Sequence, residues 1–575
     1  MSKVRSRKFA PTSGSSEEYD PGEFLQQEAL ICLTNISLES GLCSIDFYMA
    51  AKDPYRVAPG NKIPVPWPYH MSRASDDAVA IADAVQNDYK KVLADFSINL
   101  QDTRVRGLCP RGYFEPQDTL IINTHDEDFH RWKEAATVIQ WILDSATSRR
   151  DSGHKLRVEI RNDTKLFRDV SSIIKPNSLA HKACMQVESA VYEKVKQSCP
   201  GQWRIISYHM RGPALQPADD RKPTIMVGIV PGARSFWALI EHQIIETVES
   251  ANSLSVKLHV ELVPGCVVPC ISLEMQPPPP HILRDLPENP SNGSSIGPRG
   301  ATNAGSLGVW VDFQPRGSTE KQRCFLTCHH VISPGDPANR SFNDHHGIAL
   351  EGYQGQKRIT IDYPAAFDAT ATKEKLQREI EQGNHEDGRS AQTINTINKY
   401  VSAGGIGSVI HASGWFRKNS RGRRMDWAIV RVHRPNASQS NKPPAATFSP
   451  RELWFGNKIY NVKSDEVISK IGTTEAGEWV AKVGRGGVRA AEVNAMNSVA
   501  YWENGTESKE IDIAGLEDID FADPGDSGSM VINLNKEWVG ILVGKVSYDN
   551  SGIVTSAQDV IDDIKAQTGG SISLV

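Results

Sequence analysis

Asp520-Phe521-Ala522-Asp523-Pro524-Gly525-Asp526-Ser527-Gly528-Ser529-Met530 is the stretch whose reading decides the fold. A serine hydroxyl near neutral pH is a poor nucleophile unless a base takes its proton and donors stabilise the oxyanion that forms. Gly525 leaves its backbone N–H free to approach a substrate carbonyl, and Ser527 adds a second N–H. The tetrapeptide 525–528 also suits a plain surface turn, because Gly, Asp and Ser are turn residues. The choice between these readings depends on residues upstream.

Cys324-Phe325-Leu326-Thr327-Cys328 is an apolar run that predicts a buried strand, and it delivers His329-His330-Val331-Ile332. Met425-Asp426-Trp427-Ala428-Ile429-Val430-Arg431-Val432 predicts a second strand with one carboxylate at its start. An imidazole, a carboxylate and a hydroxyl therefore follow one another along the chain, each beside a strand. Thr327-Cys328-His329-His330 resembles the Thr-x-x-His word of the chymotrypsin/trypsin-like serine proteases. Asp426-Trp427-Ala428-Ile429 resembles their Asp-x-Ala-Leu/Ile word, and Gly525-Asp526-Ser527-Gly528 their nucleophile loop. Trp538–Gly544 looks like the strand that walls their side-chain pocket. Gly552–Thr555 and Ala557–Lys565 look like the closing strand and C-terminal helix. Ala481-Lys482-Val483-Gly484-Arg485 is similar to a Lys-x-Gly-Arg turn of many members. The resemblance spans roughly residues 294–575.

It implies an all-β double barrel, barrel 1 over about 300–435 and barrel 2 over about 445–565, within a unit of 296–575. It also implies an endopeptidase acting on protein or peptide through an acyl-enzyme, with no cofactor and no metal. His330 would be the general base, Asp426 its orienter and Ser527 the nucleophile, with the amides of Gly525 and Ser527 as oxyanion hole. By position Phe521 and Ala522 fall at the pocket base, and Gly544 and Gly552 near its walls. No acid stands at the base position, so a neutral or apolar pocket is expected; a two-residue loop shift would instead bring Asp523 there. A protease fold that has become a silent binding scaffold is the alternative, against which the intact His330, Asp426, Ser527 and Gly525 count. The family's activating Ile-Val-Gly-Gly is missing. Ser295-Ile296-Gly297 stands either as a cleavage point or as an ordinary first strand. The long interval from His330 to Asp426 places an insertion near 364–400, with helices over Thr372–Gln382 and Ala391–Tyr400.

At 575 residues the chain is too long for one core, and the expected fold class is multidomain. Hydrophobic content of 39% and charged content of 23% are ordinary for a globular protein, and a net charge of −5 argues against a nucleic-acid partner. No stretch has the apolar length of a membrane helix, and the basic N-terminus has no apolar core behind it, so no membrane partner and no secretory signal are expected. There are nine cysteines, an odd number, with none beyond Cys328. Val331, and Asp523 nearby, stand where secreted relatives keep disulfide cysteines. A reducing, cytoplasmic location is the expectation, the nucleus remaining open.

Residues 1–20 read as a disordered tail. Residues 21–110 read as helical and looped, with a helix from Asp76 to Phe96 capped by Ser75. Residues 111–275 alternate as β-α-β-α-β-β-α-β, an α/β sandwich-like domain in which Thr119–Ile160 and Thr224–Val263 share a strand–helix–strand plan, open to a β-α-β duplication. A regulatory or recruitment role, with a protein partner, is the expectation for this half. Val230–Ser235 reads as a turn and cap rather than an anion site, and Cys266-x-x-x-Cys270 as buried thiols rather than half a metal site. Pro277–Pro280 and the Ser/Asn/Gly run form a linker over 276–295. Cys324, Cys328, His329 and His330 offer metal-ligand chemistry, but a metal would occupy the imidazole the nucleophile needs. Arg417–Arg424 is a basic run beside Asp426, read as a solvated loop, with an import or acidic-substrate patch as the alternative.

Overall fold

The computed structural model describes residues 41–60, 62–110, 115–150, 154–213, 217–270, 289–350, 358–383, 388–436, 439–442, 454–455, 458–459, 467–502, 504–516 and 519–575. The expected tail 1–20 and linker residues 276–288 lie outside these. Residues 289–295, the described end of the expected linker, are packed into the C-terminal half: Asn292 is buried and donates to the Gly308 carbonyl at 2.5 Å.

Local pattern accounts for the N-terminal helices. Trp132, Ala136, Ile139 and Leu143 recur three or four apart and so share one helical face. Helix Trp132–Arg150 buries all four and leaves Trp141 71% exposed. In Leu179–Ser198 the buried stripe is Cys184, Val187, Val191 and Val195, and the Ser178 hydroxyl caps it by accepting from the His181 N–H at 3.0 Å. The helix expected over 76–96 is two helices, Asp76–Ala84 and Gln86–Asp95, broken at Val85. Val79 faces outward because Ala78, Ile81 and Ala82 take the core positions.

The single α/β unit expected over 111–275 is in fact two units of one plan. In the first, strands Tyr69–Arg73, Leu100–Pro110, Gln117–Thr124 and Arg157–Arg161 are neighbours in that order; the last pair is parallel and the others antiparallel. Asp169–Ser172, Trp203–Pro213, Lys222–Ile229 and His259–Pro264 repeat this order and these directions. In both, helical segments join the first strand to the second and the third to the fourth. The plan shared by Thr119–Ile160 and Thr224–Val263 is thus the second half of a longer one. Residues 69–110, expected to be mainly helix and loop, supply half of the first unit's strands.

The C-terminal half is two β units. An open antiparallel sheet holds, in order, Gly305–Ser306, Ser295–Pro298, Thr360–Asp362, Gly407–Ala412, Ala428–Val432, Gln322–Thr327, Trp310–Gln314 and Ser571–Leu574. The second unit is a closed ring: Trp479–Gly484, Gly487–Val493, Glu507–Ala514, Ser551–Ser556, Glu537–Val546 and Met530–Asn533, which returns to the first. Helices Ala366–Glu381 and Arg389–Ser402 fill the expected insertion.

The second α/β unit is continuous with this ring. Ser498–Tyr501 pairs with Glu507–Ala514 on one edge and, through Val499 and Ala500, with Ile206 and Ile205 on the other. A buried polar cluster backs the joint. His209 Nε2 lies 3.5 Å from Asp512 and 3.4 Å from Asp549, and Ser207 shares a 2.8 Å hydrogen bond with Tyr548. Beyond His259–Pro264 the chain turns at Gly265, and Val267–Val268 pairs antiparallel with Lys545 and Val546 of the ring.

Candidate active site

Strand pairing brings His330 and Asp426 together. Gln322–Thr327 runs antiparallel to Ala428–Val432, with Thr327 opposite Ala428, so residues just after the first strand meet those just before the second. The His330 amide donates to Asp426 Oδ1 at 3.1 Å, and its Nδ1 lies 2.5 Å from Oδ2. A carboxylate only accepts, so the Nδ1 proton points at Asp426 and the Nε2 lone pair points away. Burial alone would raise the Asp426 pKa; the His330 and Arg424 charges outweigh it and hold the carboxyl at about 2. Arg424 is itself buried, its guanidinium 3.8 Å from the Trp415 ring centre and 3.6 Å from that of Trp502. Trp415 also meets the His330 ring edge-on at 5.2 Å.

The loop bearing Ser527 packs against the same corner. Gly528 has φ +91°, and a Cβ there would lie 2.4 Å from Thr327 Oγ1 and 2.6 Å from the Ser306 carbonyl oxygen. Only glycine lets the loop approach so closely. Ser527 Oγ donates to the Val543 carbonyl at 3.4 Å, and His330 Nε2 is buried without a hydrogen-bond partner. The hydroxyl is therefore hydrogen-bonded away from the imidazole.

The amides of Gly525 and Ser527 converge on one acceptor. That acceptor belongs to the chain itself: the carbonyl oxygen of Cys270, at 2.7 and 3.1 Å. Loop shape is fixed from behind. Asp526 accepts from the Gly486 amide at 2.6 Å and the Asp523 amide at 2.8 Å, and forms a fully buried ion pair with Lys482. Arg485 grips Asp368 of the inserted helix at 2.6 and 2.7 Å and reaches the Pro524 carbonyl at 3.0 Å. Ile296 is buried in strand Ser295–Pro298.

The expected pocket residues gather nearby. Phe521 and Ala522 are buried in an apolar cluster with Leu542, Val554 and Cys270. Gly552 sits against Phe521, and Gly544 against the Val268 carbonyl oxygen, 2.8 Å from where a Cβ would be. Asp523 is paired with Arg489 at 2.5 Å; burial would raise its pKa, but Arg489, Lys482 and Lys545 outweigh this and keep its carboxyl below the ordinary value.

Cys328 Sγ, a His330 ring nitrogen and an Asp426 oxygen lie within 4.8 Å of one another. Burial pushes the Cys328 thiol well up, and it donates to the Leu542 carbonyl at 3.4 Å. His329 is held elsewhere, by Asp344 at 2.7 Å. The basic run is not a free loop. Arg417 pairs with Asp563 and Arg421 with Asp559, both at 3.0 Å, and Arg423 lies 3.4 Å from Asp559, so the run pins the C-terminal helix Ala557–Thr568. Among the anion-site candidates, the Gly232 amide is taken by Asp46 at 2.8 Å. No described helix is long and apolar enough to cross a membrane.

Sequence reasoning assigned no role to Lys482, Arg424 or Cys270. Lys482 stands in the Lys-x-Gly-Arg turn, which was a signal for it. Nothing local marks Cys270, because its partners lie more than two hundred residues away.

No family model and no curated protein matches the chain. Solved serine proteases are similar to about half of it. Thermobifida fusca Protease A is 12% identical and the match covers 50% of this chain and 98% of that one, with a TM-score of 0.26. For Cellulomonas bogoriensis chymotrypsin the values are 13%, 50%, 97% and 0.25. For Nocardiopsis protease they are 12%, 49%, 98% and 0.25.

Proposed function

We propose that the chain is a serine endopeptidase in which Ser527 attacks the scissile carbonyl, His330 carries the proton to the leaving amine, and Asp426 holds the imidazole in its Nδ1–H tautomer. The observation that carries this reading is the paired amides of Gly525 and Ser527, which hold a peptide carbonyl oxygen at 2.7 and 3.1 Å. That is the spacing that stabilises a tetrahedral oxyanion. The unpartnered Nε2 supports it, since a buried acceptor costs free energy unless a proton donor visits it. These features favour turnover over the silent-scaffold alternative, which needs neither.

The substrate is a protein or peptide with a neutral or apolar residue before the scissile bond. Phe521 and Ala522 offer no charge, and Asp523 is already neutralised by Arg489. The reading keeps the expected reducing, cytoplasmic location; the eight cysteines described carry free thiols. It also keeps a regulatory role for the N-terminal units.

Labelling with a fluorophosphonate probe tests it. The wild type is expected to react at Ser527, and Ser527→Ala, with an unchanged circular dichroism spectrum, is expected not to. Equal labelling of both would remove Ser527 from its role.

A further inference from the structure

Arg424 is buried where the first sheet meets the closed ring, and it is bonded to both sides. Its amide donates to Glu510 Oε1 at 3.3 Å and its carbonyl accepts from Thr555 Oγ1 at 3.4 Å, both on strands of the ring. On the other side, Arg424 Nη2 lies 3.5 Å from Asp426 Oδ2, the oxygen that faces His330. That ion pair is long, and Arg424 Nε and Nη1 are buried with no hydrogen-bond partner among the described residues. What surrounds the guanidinium is a corner of two indoles, Trp502 at 3.6 Å and Trp415 at 3.8 Å, with ring centres 6.0 Å apart and planes inclined at 74°. An indole face attracts a cation, and more strongly where water is excluded.

The two indoles come from different parts of the molecule. Trp415 is anchored on the side of the first sheet, its amide donating to the Asp344 carbonyl at 2.8 Å. Trp502 directly follows strand Ser498–Tyr501, which pairs with Glu507–Ala514 of the ring and with Ile205 and Ile206 of the second α/β unit. Its own amide donates to the Thr506 carbonyl at 2.8 Å. Its Nε1 donates to Ser508 Oγ at 2.7 Å, and Ser508 Oγ donates at 2.5 Å to Glu510 Oε1, the oxygen that receives the Arg424 amide. Backbone and indole edge are thus both committed to the ring, and the indole face lies on Arg424.

We propose that Trp502 is a positioning residue for the His330–Asp426 pair, its indole face keeping the Arg424 cation beside Asp426. The effect on rate rests on the serine endopeptidase reading above; the placement of Arg424 does not. A cation at this point opposes the uptake of a further proton by the pair. The other charged and titratable groups around Arg424 are Asp426, Glu510 and the Cys328 thiol, and His330 and His329 act on Asp426. Without the indole face the guanidinium lacks partners for its two unbonded nitrogens and moves toward water. The pair then holds its extra proton to higher pH, and the base is lost sooner on acidification. The strand shared with the second α/β unit thereby ends one residue short of the group that holds this cation.

The test uses the full chain. Wild type, Trp502→Leu, Trp502→Phe, Arg424→Met and the Trp502→Leu/Arg424→Met double variant are labelled with a fluorophosphonate between about pH 5 and about pH 9. The same proteins are unfolded in urea toward about pH 2, where the contribution of Asp426 is lost. Trp502→Leu keeps apolar bulk without a ring face. It is expected to move the acid limb of labelling up by about one pH unit, a tenfold loss of rate on that limb, and to raise the acid midpoint of the Asp426 component. Trp502→Phe, which keeps a ring face, is expected to shift both by less than about a third as much. Arg424→Met is expected to match Trp502→Leu, and the double variant to add nothing to either. A purely structural role would lower labelling equally at every pH and leave the limb in place. That result, or shifts that add in the double variant, overturns the proposal. Trp502→Met takes the place of Trp502→Leu if the latter misfolds. A wild type that does not label removes the endopeptidase reading, and the acid midpoints then decide alone: a raised midpoint in Trp502→Leu upholds the placement of Arg424, and an unchanged one overturns it.

Discussion

The two sides of the candidate site are built by different routes. The first sheet supplies His330 and Asp426, already joined by two hydrogen bonds across adjacent strands. The second ring supplies Ser527 and its amides, and their geometry depends on Lys482, Arg485 and an inserted helix far away in sequence. The base side is a product of strand register. The nucleophile side is a product of buried charge, which is stable only while every partner is present. Damage to the first should therefore cost rate without fold, and damage to the second should cost both.

The sharpest separation comes from Asp426→Asn. Nδ1 loses its acceptor and the tautomer inverts, so kcat for a peptide substrate is expected to fall by about 10⁴, while stability in urea falls by only about 2 kcal/mol. Lys482→Met leaves the Asp526 carboxylate buried and unpaired, at a cost of about 3–5 kcal/mol in chemical denaturation, and probe labelling should disappear as the amides splay. A Lys482→Met protein that keeps wild-type stability would break the contrast between the sides.

Acid sharpens it further. Asp426 ionises at about 2 in the folded protein against an ordinary 3.8. Its folded pKa is depressed, so it stabilises the fold above pH 3.8 and loses that contribution as the pH falls toward 2, a change of about 2 kcal/mol by linkage. Denaturation curves collected across this window should show the component in wild type and lack it in Asp426→Asn. The smallest effect expected is that of Arg424→Met, which removes a guanidinium held between two indoles and should cost about 1–2 kcal/mol. The same change removes a cation near Asp426 and should raise the acid midpoint of that component.

The two α/β units present the same lesson at a larger scale. They share strand order and directions, yet among the described residues the second alone extends its sheet into the closed β ring and sends a following segment, Val267–Val268, to pair with it. Their helices were legible because a 3.6-residue apolar period is local and each unit buries it against its own sheet. Their boundary was not legible, because strand partners are chosen across the fold and the sequence carries no mark for a shared edge. The helix expected at 76–96 illustrates the limit. Its period was visible, while the break at Val85 depends on where the underlying sheet ends.

By itself the sequence determined the chemistry: an imidazole after one apolar strand, a carboxylate before another, a serine between glycines, and helices in an oversized interval. Each is a short word whose spacing is forced by local backbone geometry. Only the tertiary structure decided that Lys482 neutralises Asp526, that Arg417–Arg424 is pinned to the C-terminal helix, and that the amides of Gly525 and Ser527 hold the carbonyl of Cys270. Those outcomes depend on burial and on charges meeting across hundreds of residues, where desolvation and partner geometry set the energy and linear order sets nothing.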